Sequence, residues 1–324
     1  MKAVTMRRYG PPEVLEISER NVPTPGAAEV LIKVEASSIN AADRRIMRAD
    51  PWLLRPMFGW RRPRFAALGA DVAGVVEAVG SGVTEFAPGD AVFGDLSGSG
   101  MGAYAEYAVA PAGVLARRPD SMSAAEAATV PLPAVTALQG LRDHARLRSG
   151  DRVLVVGASG AVGMFAVQIA RHFGARVTAV CRTTKMEMVA RLGAERVLDY
   201  TVDDVTAGPD RYDIVFDCGS YRSIFDYARI LTPQGTYVHV GGSTRRLFQT
   251  MTLGAAASRK GGRRYRSFVA KQSATDLAAI REMIDADAVQ TAIDGTYPLS
   301  EIRSAMARSE SGEACGKVVI RVAE

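Results

Sequence analysis

The run Val153-Leu154-Val155-Val156-Gly157-Ala158-Ser159-Gly160-Ala161-Val162-Gly163 restricts this chain more than any other segment. Its first four residues are apolar and mostly β-branched, which suits a strand buried on both faces. Glycines then allow a tight turn, and Ala161 to Phe173 reads as a helix. A second apolar strand follows at Arg176-Val177-Thr178-Ala179-Val180. Strand, glycine-rich turn, helix and strand make one crossover unit of a parallel sheet. The turn reads A-x-G-x-x-G, close to the strict G-x-G-x-x-G dinucleotide fingerprint, with an extra glycine at Gly157. On that reading Gly160 lets the backbone approach a pyrophosphate and Gly163 lets the helix pack closely on the strand. Ala158 and Ser159 complete the turn, and the free N–H groups near Ala161 and Val162 hold the anion.

The residue ending the second strand bears on which dinucleotide is bound. A carboxylate there accepts from ribose hydroxyls and repels a 2′-phosphate. This chain has Cys181 instead, followed by Arg182, Thr183, Thr184 and Lys185. Missing repulsion and added cationic hydrogen bonds of roughly 1.5–3 kcal/mol each favour NADPH. The plainer alternative makes Arg182 and Lys185 solvated residues at a helix start.

Alternation continues beyond that point. Strands are predicted at Arg196-Val197-Leu198, Asp213-Ile214-Val215-Phe216 and Thr236-Tyr237-Val238-His239-Val240, and helices near Met186–Leu192 and Ser223–Leu231. Before residue 121 the pattern differs: short strands such as Glu29–Val34, Val72–Val79 and Ala105–Val109 are separated by turns at Pro25-Gly26, Gly80-Ser81-Gly82 and Pro88-Gly89-Asp90. That spacing describes a mostly β, barrel-like unit. Ser123 and Glu126 have capping-box spacing for a helix start. The last segment holds a helix near Thr275–Ile284 and the strand Lys317–Ile320, too little for a third domain. The expected organisation is 1–121, a dinucleotide domain at 122–258, and 259–324 returning to the first domain.

With 324 residues and 48% hydrophobic content, both domains can build proper cores. No apolar run approaches the ~20 residues needed to span a bilayer, and the start is too charged for a secretory signal. Cys181, Cys218 and Cys315 are sparse and odd in number, which favours a reducing compartment. The expectation is a soluble, cytoplasmic protein. The net charge of +5 is uneven, with Arg44, Arg45, Arg48, Arg55, Arg61, Arg62 and Arg64 in one group and Arg259, Lys260, Arg263, Arg264 and Arg266 in another. These are solvated surface or an attraction for an anionic ligand. No nucleic-acid reading motif accompanies them.

The order of motifs resembles the medium-chain dehydrogenase/reductase family, and in particular its quinone oxidoreductase branch. The resemblance rests on Val153–Ala175, Asp199-Tyr200, Gly316-Lys317-Val318-Val319, Gly89-Asp90-Ala91-Val92-Phe93-Gly94 and Pro131–Leu138, and runs over nearly the whole chain. It implies an α/β fold: a Rossmann-type doubly wound parallel sheet plus a GroES-like, mostly β domain. It also implies homodimers paired through an edge strand of the dinucleotide sheet, here Thr236–Val240 or its neighbour. Zinc-dependent members carry a cysteine at the position of Asn40, Gly-His-Glu at Gly69-Ala70-Asp71, and another cysteine at Leu132. A catalytic zinc needs three protein ligands, and only Asp71 could serve, so no metal is expected.

Without a Lewis acid, a simple ketone is a poor substrate because its alkoxide lacks stabilisation. A quinone or α,β-unsaturated carbonyl spreads the charge over its own conjugated system. The resemblance implies that Asn40 contacts the nicotinamide end, with Asp43 one helical turn later and Thr136 beneath the ring. It also implies that Tyr200 and Lys185 flank the adenosine phosphate, while Val240-Gly241-Gly242, Phe268 and Lys317 approach the cofactor. Asn40, Asp43 and Tyr104 are the catalytic candidates, with Asp43, Tyr104 or water supplying the proton. Trp52, Phe58, Trp60 and Tyr104 are candidate lining for the substrate. The alternatives are an enoyl-thioester reductase of a biosynthetic pathway, or an NADPH- or RNA-binding protein without turnover.

Overall fold

A computed structural model describes residues 1–50, 55–63 and 67–323. Trp52 and Arg64, and the side chains of Phe58, Arg259 and Lys260, lie outside the described residues. Two compact units form. One comprises Met1–Val135, Lys271–Asp285 and Thr291–Glu324, and the other Thr136–Ala270 and Ala286–Gln290. These divisions fall later along the chain than the expected 121/122 and 258/259.

The first unit opens with seven strands: β1 (Lys2–Met6), β2 (Leu15–Glu19), β3 (Glu29–Ser38), β4 (Asp71–Val79), β5 (Ala91–Asp95), β6 (Tyr107–Pro111) and β7 (Leu115–Arg117). Helices α1 (Ala41–Arg48), α2 (Arg55–Phe58) and α3 (Ala124–Ala127) belong to the same stretch, and α4 (Pro131–Gln139) runs into the second unit. Ser123 caps α3 as its spacing with Glu126 suggested: its hydroxyl accepts from the Glu126 N–H, and the Glu126 carboxylate accepts from the Ser123 N–H.

The second unit holds β8 (Arg152–Val156), β9 (Arg176–Cys181), β10 (Arg196–Asp199), β11 (Tyr212–Asp217), β12 (Leu231–His239) and β13 (Arg264–Ser267). Helices α5 (Ala161–His172), α6 (Met186–Arg191), α7 (Ile224–Ile230) and α8 (Thr244–Gly261) lie between or after them. The strands form one parallel sheet in the order β10-β9-β8-β11-β12-β13. Val153 to Val156 have no exposed surface, each contributing about 1.5–3 kcal/mol by burial. The chain builds outward from β8 to β10, then returns to β11 and builds the other way. Ligands of such sheets bind at the carboxyl edge where this direction reverses, which is where the turn after Val156 lies. β13 is the edge strand and α8 is a long helix, and neither was anticipated. Arg264-Tyr265-Arg266-Ser267 has only one large apolar side chain, so it carries no strong strand signal. Arg263 and Arg264 bond to Leu231 O, Gln234 O and Thr236 Oγ1, tying β13 to β12.

The chain then returns to the first unit with α9 (Ala274–Asp285), β14 (Ile293–Pro298), α10 (Ile302–Glu310) and β15 (Lys317–Arg321). A seven-stranded sheet results in the order β14-β15-β3-β4-β5-β7, with β6 also on β3. Its register sets Val319 opposite Ser38, Ser38 opposite Asp71, and Asp71 opposite Asp95. Cross-strand partners lie on one face, so Ser38, Asp71 and Asp95 form a row. Much of the first arginine group serves this unit. Arg44 donates to Ser309 O, Arg48 pairs doubly with Glu310, and Arg55 lies 5.5 Å over the Tyr9 ring.

Candidate active site

In the second unit the turn after β8 is held by its own backbone. The N–H groups of Gly157 and Ala158 both donate to Val180 O at 3.0 Å, and Gly160 N–H to Gly157 O. Gly160 caps α5 without a side chain, so the amides of Ala161 and Val162 open the helix with no carbonyl a turn before them. Gly163 has no room for a Cβ, which would stand 2.2 Å from Gly157 O. Ala158 is buried, Ser159, Ala161 and Val162 are half-buried, and Gly160 is exposed. An anion at this turn meets amides and a helix N-terminus.

Cys181 ends β9 as a buried thiol, pushed up to about 11 by burial and by Asp199. Arg182 is exposed and its Nε donates to Tyr200 Oη at 3.2 Å. Tyr200 stacks on Tyr221 with ring centroids 4.2 Å apart. Lys185 is 8% exposed. Asp199, named from the sequence only for the family resemblance and given no role there, lies opposite Cys181 in the sheet register. Its carboxylate accepts from the hydroxyls of Thr183 and Thr201, and the Thr183 bond holds its pKa below the usual value. It therefore organises the loop that carries Thr183. The signal was Asp-Tyr-Thr directly after an apolar strand.

Asp217 was missed. It ends β11 fully buried and accepts from Gly219 N, Ser220 N and Tyr237 Oη at 3.1, 2.7 and 2.7 Å. Burial pushes its carboxyl up to about 6 against the lowering effect of these bonds. Its backbone carbonyl accepts from Val240 N, and Ser220 Oγ donates to Gly241 O. Val240-Gly241-Gly242 thus follows β12 at the same carboxyl edge, stitched to the turn after β11. Thr136 sits half-buried on α4, and Phe268 stacks on His144 at 4.2 Å.

The first unit brings Asn40, Asp43, Tyr104 and Lys317 together. Asn40 is the N-cap of α1, and its N–H donates to Asp43 Oδ2 at 2.8 Å. Asp43 Oδ1 accepts from Gly69 N at 3.1 Å. Lys317 Nζ donates to Asn40 Oδ1 at 2.6 Å and lies 3.2 Å from Asp71 Oδ2. That oxygen also accepts from Ser38 Oγ at 2.9 Å and Asn40 Nδ2 at 2.8 Å, while Asp71 Oδ1 accepts from Leu132 N at 2.8 Å. Tyr104 Oη donates to Ser38 O at 3.4 Å. Removing one partner of a buried ion pair costs about 3–5 kcal/mol, so this network is tightly constrained. Burial, with Asp71 adding to it, raises the Asp43 carboxyl to about 6 and the Asp95 carboxyl to about 7. Burial also lowers the Lys317 pKa against the pull of Asp71 and raises that of Tyr104 well above its ordinary value.

Asn40 retains 3% exposure, whereas Asp43 and Tyr104 have none. Trp60 is 62% exposed.

The donor set here does not fit a zinc ion. Ala70 and Leu132 offer no side-chain ligand, both oxygens of Asp71 are engaged, and the Lys317 ammonium lies against Asn40 and Asp71. Among the described residues no three His, Cys, Asp or Glu side chains are grouped to hold a metal. No helix among them is long and apolar enough to cross a membrane.

A parallel sheet with a glycine-rich strand-to-helix turn at its reversal point, in a chain with a second, mostly β unit, is the layout of nucleotide-dependent dehydrogenases and reductases. Residues 26–120 match the alcohol dehydrogenase GroES-like domain and residues 192–320 the zinc-binding dehydrogenase family. The chain belongs to the medium-chain dehydrogenase/reductase family, in its zinc-free, quinone oxidoreductase-like branch, and is an enzyme of that oxidoreductase class. It is 34% identical over 330 residues to the chloroplast envelope quinone oxidoreductase homolog of Arabidopsis thaliana, covering 99% of this chain and 98% of that one. It is 32% identical over 332 residues to the chloroplastic NADPH-dependent alkenal/one oxidoreductase of the same plant, covering 99% and 79%. The solved quinone oxidoreductase from Coxiella burnetii is similar with a TM-score of 0.88 and 27% identity, over 100% of this chain and 99% of that one.

Proposed function

We propose that this protein is an NADPH-dependent, metal-independent reductase that delivers a hydride to a conjugated acceptor, a quinone or an α,β-unsaturated carbonyl. The observation that carries the cofactor choice is the end of β9. Cys181 stands where a ribose-binding carboxylate would, and Arg182 projects beside Tyr200 at the surface. The nearby Asp199 is occupied by threonine hydroxyls. The names of the two plant relatives support the acceptor class.

When bound, NADPH is a hydride source at its nicotinamide C4. The residues of this chain bind and orient. The amides after Gly160 receive the pyrophosphate, and Arg182 with Tyr200 receives the 2′-phosphate. Lys185 and Thr183 shape that loop. Val240, Gly241 and Gly242 line the carboxyl edge of the sheet, and Thr136 and Phe268 are proposed contacts on the nicotinamide side. Asn40 keeps one long Nδ2 contact, to Ser38 O at 3.5 Å, which a better acceptor on the ligand can displace. A conjugated acceptor delocalises the charge that arrives with the hydride, so no Lewis acid is required. Alignment alone then supplies much of the rate.

Homodimerisation through β13 is part of the proposal. Among the described residues that strand pairs with β12 on one side and with no strand on the other, and a two-fold copy would cover its open edge. The sparse, unpaired cysteines support a reducing, cytoplasmic location.

The test is turnover of 1,4-benzoquinone, trans-2-hexenal and hexanal with NADPH and with NADH. Fast reduction of a conjugated acceptor with NADPH, and slow reduction of hexanal, is expected. Equal rates for hexanal and hexenal would overturn the proposal.

A further inference from the structure

Lys317 is 1% exposed, yet neither charge-bearing partner nor position was assigned to it by the sequence beyond an approach to the cofactor. The sheet explains where it stands. Val319 pairs with Ser38 in antiparallel register, so two residues earlier Lys317 reaches Asn40, two residues beyond Ser38. Its ammonium can only donate, and it donates to Asn40 Oδ1 and Asp71 Oδ2. That fixes which way the Asn40 amide faces: the oxygen toward Nζ, and Nδ2 toward Asp71 and Ser38 O. Asp71 in turn accepts the N–H of Leu132 at the start of α4. One cation thereby ties together the residues at positions 40, 71 and 132, from three separate parts of the chain.

We propose that Lys317 is a positioning residue that acts as the resident cation of this site, orienting the Asn40 carboxamide and anchoring the start of α4 through Asp71. In zinc-dependent members of the family a metal ion draws together residues at positions 40, 70 and 132. Here the unsuitable side chains at 70 and 132 and the ammonium between 40 and 71 are two sides of one substitution. The positive charge is kept, but it comes from the chain itself. Unlike a metal it has no vacant coordination position, so it orients Asn40 without binding the substrate oxygen. The inference rests on the reductase reading only for its kinetic consequence.

The charge acts on Asp43 as well. Asp43 faces Asn40 and Gly69 through hydrogen bonds, and it interacts electrostatically with Tyr104, Arg44, Asp71, Asp95 and Lys317. Among these, Lys317 lowers the Asp43 pKa and Asp71 raises it. Removing the ammonium while keeping the volume takes away a charge that lowers it, and the Asp43 titration is expected to move upward, whatever the protein's substrate.

The experiment compares full-length wild type, Lys317→Met and Lys317→Arg by three measurements: calorimetric NADPH binding, steady-state kinetics with 1,4-benzoquinone, and a carbon-13 NMR titration of the Asp43 carboxyl. For Lys317→Met we expect NADPH affinity within about threefold of wild type, kcat reduced at least about tenfold, and an Asp43 midpoint above the wild-type one. Lys317→Arg, which keeps charge and donors, should keep the midpoint near wild type. A Lys317→Met protein with wild-type kcat and an unmoved Asp43 midpoint overturns the proposal. If that variant does not fold, the arginine variant decides: a midpoint displaced upward despite the retained charge overturns it. If wild type turns over no acceptor, the reductase reading fails, while the Asp43 titration still judges Lys317.

Discussion

Ser38 and Asp71 face each other across β3 and β4, and the Ser38 hydroxyl donates to Asp71 Oδ2 at 2.9 Å. This pair is the hinge between the sheet and its buried polar cluster. On one side of the row lies Val319, which sets the place of Lys317, and on the other lies Asp95. The cluster is thus a product of strand register: a slip of one residue in β4 would send Asp71 to the opposite face.

The same row predicts a pH dependence of stability. Burial raises the Asp95 carboxyl from 3.8 to about 7, with Asp71 and Asp43 adding to the shift. The folded state therefore binds more protons than the unfolded state between those values. Stability from this group is greatest at the acid end and falls as pH rises from about 4 to about 7. At about 1.36 kcal/mol per unit the effect is bounded near 4 kcal/mol. Asp95→Asn can still accept from Ser97 N and can donate to Ser97 Oγ, the two partners Asp95 has now. Urea unfolding at pH 5 and pH 8 should show a smaller loss between the two in Asp95→Asn than in wild type. An equal loss would mean that Asp95 ionises freely in the folded protein.

Arg182→Ala tests cofactor selection. Its guanidinium is exposed beside Tyr200, where one or two charge-assisted bonds to a 2′-phosphate are worth roughly 1.5–3 kcal/mol each. The Michaelis constant for NADPH should rise by roughly ten- to a hundredfold, with that for NADH changed by less than about threefold. A parallel rise in both would place selectivity elsewhere.

Gly163→Ala tests the phosphate turn. The new methyl would stand 2.2 Å from Gly157 O and 2.8 Å from the Ala158 Cα, both backbone atoms that cannot rotate away. Overpacking of this kind costs about 1–3 kcal/mol, and relief requires α5 to move off β8. Thermal unfolding should drop by several degrees and calorimetric affinity for NADPH should fall at least about tenfold. A variant that binds as wild type would show that the turn does not hold the pyrophosphate.

The two units differed in how far the sequence revealed them. In the second, apolar runs such as Val153–Val156 and Ile214–Phe216 announce buried parallel strands, and the glycines mark the turn, because both signals are local. The roles of Asp199 and Asp217 could not be read since an acidic residue at the end of a strand looks the same in solvent or buried. β13 escaped because Arg264 and Arg266 give it a polar pattern. In the first unit Asn40, Asp43 and Lys317 could be named by resemblance, but their meeting depends on the register of β15 on β3 across 277 positions. Nor could the sequence separate Arg44 and Arg48, which bind α10, from Arg61 and Arg62, which remain exposed.

Tyr104 raises the question of the proton. Its phenol is buried, its pKa is pushed well above the ordinary value by burial and by Asp43, and its hydroxyl donates to Ser38 O. A group so reluctant to ionise, and facing a backbone carbonyl, is better suited to holding Asp43 and β3 than to delivering a proton. Tyr104→Phe should therefore keep kcat within about tenfold of wild type, whereas loss of a true general acid lowers it by about 10²–10⁴-fold. The solvent deuterium isotope effect on kcat should be the same in both proteins if water supplies the proton. A kcat fallen more than a hundredfold, with the isotope effect altered and the fold intact, would return the role of acid to Tyr104.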